Sequence, residues 1–93
     1  MLEDIKNLLR ITSDDFDDEI MEMIAECKAD LLLSGIQEEM INESDTLIAR
    51  AIRVYCKAHF GFENPDKDGL LHSYDLLKSH LMISKDYGDE YVA

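Results

Sequence analysis

Only four glycines and one proline interrupt the 93 residues of this chain. That scarcity constrains the fold more than any other feature, because these two residues are what normally break a helix. Gly35, Gly61 with Pro65, and Gly69 fall between stretches whose apolar residues recur at helical spacing. The alternation of β-branched residues that marks a half-buried strand is nearly absent. The expected fold is all-α: a small bundle of three main helices plus a short N-terminal helix, with an irregular C-terminal tail. Residues 1–84 make the helical domain, and residues 85–93 make a tail read as a docking segment.

The spacing predicts a short helix over residues 2–10, with Leu2, Ile5, Leu8 and Leu9 on one side. "ITSDD" follows, where Ser13 or Asp14 is placed to cap a second helix by accepting from its free N–H groups. Asp14, Asp15, Asp17, Asp18 and Glu19 crowd the start, where the helix dipole favours negative charge. This helix runs to about Ser34, with Phe16, Ile20, Met23, Ile24, Cys27 and Leu31 on one stripe and Gly35 as its stop. Leu32 and Leu33 lie off that stripe, available for a second contact or as cover for the linker. Residues 36–44 read as a linker with one helical turn.

Ser44 or Asp45 caps a third helix to about Phe60, whose apolar face holds Ile48, Ala51, Ile52, Tyr55, Ala58 and His59. A fourth helix runs from near Asp68 to about Ser84, with Leu70, Leu71, Tyr74, Leu77 and Leu81 inward. The tail "KDYGDEYVA" has no periodicity and presents Tyr87 and Tyr91 as exposed aromatics.

Charge narrows function. The formal net charge is -12. A field of this sign opposes nucleic-acid binding, which neutralises phosphates, and opposes docking on anionic membranes. No apolar run approaches the roughly 18–20 residues that span a bilayer, and "MLEDIKNLLR" lacks a signal peptide's basic start and apolar core. The expected compartment is cytoplasmic, and there Cys27 and Cys56 are expected to be buried free thiols.

Asn64, Asp66, Asp68, Gly69 and Asp75 match the register of a calcium-binding loop. The chemistry is poor: Asn stands at the first position, Asp where a bidentate Glu is usual, and Pro65 at the second. The preferred reading is a turn stiffened by Pro65, with Asp66 or Asp68 capping the next helix. Cys56, His59, His72 and His80 do not converge on one point in any simple helix packing, so no metal site is expected, and His59 reads as a core histidine. No nucleophile motif, phosphate-binding glycine loop or zinc-protease signature appears. No enzyme and no cofactor are expected.

The arrangement of charge along the helices is more telling. Glu22, Glu26 and Asp30 recur along the second helix; Arg50, Arg53 and Lys57 form a stripe of opposite sign on the third, away from Ile48 and Ile52. Two solvated faces are one reading. The sharper one is a subunit interface in which the acidic stripe of one copy meets the basic stripe of the next, a contact that closes into a ring when repeated by rotation.

The order of elements, with "RITSDDFDDEIMEMIAECKADLLLSGI", then "DTLIARAIRVYCKAHFGFENPD", then "LLHSYDLLKSHL", resembles the small head–tail connector, or adaptor, proteins of tailed bacteriophages, also labelled DNA-packaging proteins. The resemblance covers about residues 2–84. It implies a non-enzymatic helical protein of the virion neck, assembled in the bacterial host cytoplasm as a homo-oligomeric ring. The ring lies beneath the portal protein, with DNA only passing through its channel and a stopper or tail-completion protein bound below. It also implies that Tyr87 and Tyr91 serve docking to the portal or a neighbouring subunit. The competing reading is an acidic DNA mimic that inhibits a nucleic-acid-binding protein, which requires carboxylates spaced like phosphates along one exposed face.

Overall fold

The computed structural model describes residues 1–61, 64–84 and 86–88. The chain is all-α. Among the described residues four helices follow in order: α1 (Leu2–Leu9), α2 (Asp17–Leu33), α3 (Thr46–His59) and α4 (Lys67–Ile83), with one 3-10 turn at Glu38–Met40. Among the described residues no helix is long and apolar enough to cross a membrane.

The core is where the apolar stripes meet. Ile5 of α1, Ile20, Cys27 and Leu31 of α2, and Ile48, Ile52 and Cys56 of α3 are wholly buried. Tyr74 and Leu81 of α4 close the packing. Each fully buried aliphatic side chain contributes about 1.5–3 kcal/mol relative to exposure, which holds short helices that would not persist alone. The stripe expected on α2 is buried from Ile20 to Leu31. Its first member differs. Phe16 lies at the helix start, is 42% exposed, and meets Phe60 edge-on at 5.4 Å between ring centres.

Helix ends explain the turns. Asp45 caps α3, its carboxylate accepting from the N–H groups of Leu47 and Ile48 at 2.9 and 3.1 Å. Hydrogen bonds from those amides, from Ile48 first, and from the Tyr87 hydroxyl hold the Asp45 carboxyl below its ordinary value against the opposing effect of burial. Gly35 takes φ +104°, a conformation open to glycine, and lets the chain reverse so that Ile36 enters the core.

The expected cap of α2 is not there. The helix starts at Asp17, Phe16 occupies the cap position, and no side chain caps it. Asp14 instead accepts from the buried ammonium of Lys6 at 2.9 Å, and Asp17 lies 3.0 Å from the same nitrogen. A buried cation demands counter-charge more strongly than an exposed helix end demands a cap, because water satisfies the latter. The two carboxylates, Asp14 first, raise the Lys6 pKa above its ordinary value despite its burial.

Two further expectations are corrected. His59 is exposed rather than in the core: it is the last residue of α3, and its ring lies 4.2 Å from that of Tyr55. Tyr87 is half-buried rather than exposed. Its hydroxyl donates to Asp45 at 2.9 Å and its carbonyl accepts from the Gln37 amide at 2.8 Å. Gly88 forms an isolated antiparallel bridge with Ile36, and its carbonyl accepts from the Gln37 side chain at 2.6 Å. A Cβ at Gly88 would fall 1.9 Å from the Met82 carbonyl oxygen, so this return of the chain requires glycine. The helical unit therefore extends past residue 84 through this clasp.

Candidate assembly interface

On α3, Arg50, Arg53 and Lys57 follow one another on the side turned from Ile48 and Ile52. Arg50 and Lys57 are exposed and Arg53 half-buried. The three rim an open groove of about 380 Å³, with Leu8 of α1, Leu70 of α4 and Val54 supplying its apolar part. None of the three has a carboxylate partner among the described residues, whereas Lys6, Lys28, Lys78 and the N-terminal ammonium are all paired. A second groove, lined by Met21, Ile24 and Ala25 of α2 with Met1 and Leu2, has its one lysine, Lys28, tied to Glu43 at 2.5 Å. In a chain of net charge -12, the α3 groove thus brings together three cations without an ion-pair partner among the described residues; Arg10 and Lys67, which also have none there, lie apart from its lining.

The acidic stripe divides in two. Glu22 and Glu26 are exposed on the side of α2 away from its buried stripe and make no ion pair among the described residues. Asp30 has turned toward α4. Its Oδ2 accepts from the Tyr74 hydroxyl at 2.6 Å and from Lys78 Nζ at 3.0 Å. The Lys78 ammonium also stands 5.1 Å from the centre of the Tyr74 ring. Burial pushes the Asp30 carboxyl up, but these two hydrogen bonds outweigh it and hold the carboxyl below the usual range. Asp30 serves as a latch between α2 and α4, a role that sequence spacing does not reveal. Its partners lie 44 and 48 residues away.

Because α2 and α3 turn their apolar faces toward the same core, their charged faces point away from one another. Glu22 and Glu26 make no ion pair with Arg50, Arg53 or Lys57 of the same copy among the described residues.

The remaining candidates resolve otherwise. Asn64 is spent inside its turn: its side-chain amide donates to the Lys57 carbonyl at 2.7 Å and its Oδ1 accepts from the Asp66 amide at 3.0 Å. Among the described residues no three His, Cys, Asp or Glu converge on a metal ion. Cys27 and Cys56 are buried free thiols, and burial pushes both up to about 12. Tyr87 is engaged within its own chain, and Tyr91 lies outside the described residues.

A family model for phage connector proteins matches residues 1–88. The chain belongs to this family. No curated protein and no solved structure matches it. In this phage connector, the α3 groove is the feature that sequence spacing alone had missed in part. The stripe of three cations is legible in sequence; the apolar contributions of Leu8 and Leu70 are not, because they arrive from other helices.

Proposed function

We propose that this phage connector is a structural adaptor of the virion neck. Copies assemble in the host cytoplasm or on the portal into a ring below the portal protein. The ring extends the DNA channel and presents a surface to a stopper or tail-completion protein. The role is non-enzymatic and needs no cofactor and no membrane; DNA only passes through.

One observation carries this reading: a basic face on α3 and an acidic face on α2, neither paired among the described residues, point in different directions from one core. Such a pair supports a head-to-tail contact, which closes into a ring under rotation. The excess of acid elsewhere supports a channel wall to which DNA does not adhere. A DNA mimic is less well served, since Asp14, Asp17, Asp30 and Glu43 are drawn into ion pairs with the chain's own cations.

The test is the mass in solution by light scattering, over a wide concentration range at low and high salt. A many-copy assembly that weakens in high salt, and that Arg50→Glu with Arg53→Glu abolishes, is the expected result. A monomer under every condition, with or without purified portal, rejects the reading.

A further inference from the structure

The charge on the two faces has a spacing, and the spacing fixes a register. This step rests on the ring proposed above. Glu22 and Glu26 are four residues apart on α2; Arg53 and Lys57 are four apart on α3. At a rise of about 1.5 Å per residue, both separations are about 6 Å, so the two pairs can meet side by side. Two alignments satisfy the charges, one parallel and one antiparallel.

The exposed leucines choose between them. On α2, the ridge bearing Glu22 and Glu26 continues through Ala29 to Leu33, which is 88% exposed. In the antiparallel alignment Glu22 faces Lys57 and Glu26 faces Arg53. Ala29 then falls opposite Arg50, where a methyl group leaves room for the guanidinium. Leu33 falls beside Thr46 and Leu47, and Leu47 is 40% exposed at the start of α3. In the parallel alignment Leu33 lies about 7 Å past the end of α3 at His59 and has no residue of that helix beside it. That alignment leaves the exposed Leu33 without an apolar partner on α3.

We infer that α2 of one copy lies antiparallel along α3 of the next, pairing Glu22 with Lys57 and Glu26 with Arg53 and packing Leu33 on Leu47. The occupant of the α3 groove is therefore a second copy of this chain, selected by charge complementarity and by the match of the two leucines. Asp30 takes no part, since it is held by Tyr74 and Lys78.

The experiment combines a crosslink with a charge exchange. In the Leu33→Cys/Leu47→Cys double variant, mild oxidation should give a ladder of covalent oligomers, absent from each single variant. The native thiols stay out of it because Cys27 and Cys56 are 0% exposed. Glu26→Arg and Arg53→Glu should each weaken assembly at least about tenfold, and the two together should restore it, since like charges placed face to face are strongly disfavoured. Assembly seen by light scattering but with no ladder and no rescue overturns this contact while the ring stands. A monomer at every concentration overturns the ring and the contact together.

Discussion

Replacing Tyr74 by Phe removes one oxygen and leaves the ring in place. The hydroxyl is the group that ties α4 to Asp30 of α2, at 2.6 Å. It also receives the Cys27 thiol at 3.7 Å. A hydrogen bond to a charged group contributes about 1.5–3 kcal/mol. Asp30 would keep Lys78 at 3.0 Å, and its side chain is 39% exposed, so water replaces part of what is lost. The low end of the range applies, about 1.5 kcal/mol. In a domain of this size each kcal/mol moves the midpoint by about 4–8 °C, so the thermal midpoint should fall by about 6–12 °C. Circular dichroism at neutral pH, at a concentration where the mass of both proteins is known, reads it. The pH dependence supplies a second check. Asp30 has a depressed folded pKa, so its contribution is present above the unfolded value of about 3.9 and is lost as pH falls through the folded value. The gap between wild type and Tyr74→Phe should be full at neutral pH and narrow below about pH 4. A midpoint within about 2 °C of wild type, or a gap that widens on acidification, refutes the latch.

Three other outcomes follow from the same structure. Asp45→Ala removes the α3 cap and should cost about 1 kcal/mol, read by urea denaturation; an unchanged midpoint would mean the cap is idle. Gly88→Ala should expel the clasp, because the added carbon meets the Met82 carbonyl; hydrogen exchange at the Gln37 amide should accelerate while that of core amides in α3 does not. Cys27 and Cys56 should resist a thiol reagent at neutral pH until the protein is denatured, and rapid labelling of the native protein would contradict their burial.

How much of this was legible follows the distance over which each feature acts. The stripe from Ile20 to Leu31 and the Asp45 cap are local patterns, set by residues within a few positions, and they read directly from the sequence. The true start of α2 was hidden because it depends on Lys6, a cation buried by α1 that claims Asp14 and Asp17. The clasp was hidden for the same reason. "DYG" has no periodicity, and its partners, Ile36, Gln37 and Asp45, are more than 40 residues away. His59 is exposed although a wheel assigns it to the apolar face, because the helix ends there. At the candidate interface, the charges were visible along α2 and α3, but which of them remain free was not. Asp30 looks like Glu22 and Glu26 until Tyr74 and Lys78 are brought beside it.

The clasp also sets an order of events during synthesis. The ribosome delivers α2 and the following linker well before residue 88, yet the Gln37 amide and the Asp45 cap receive Tyr87 and Gly88 only when that last stretch has left the exit tunnel. Closing a loop of this length carries an entropy cost that local helix contacts do not. A nascent chain can therefore settle its first three helices while the seam between linker and cap stays open, and the seam seals only once residues 87 and 88 have emerged.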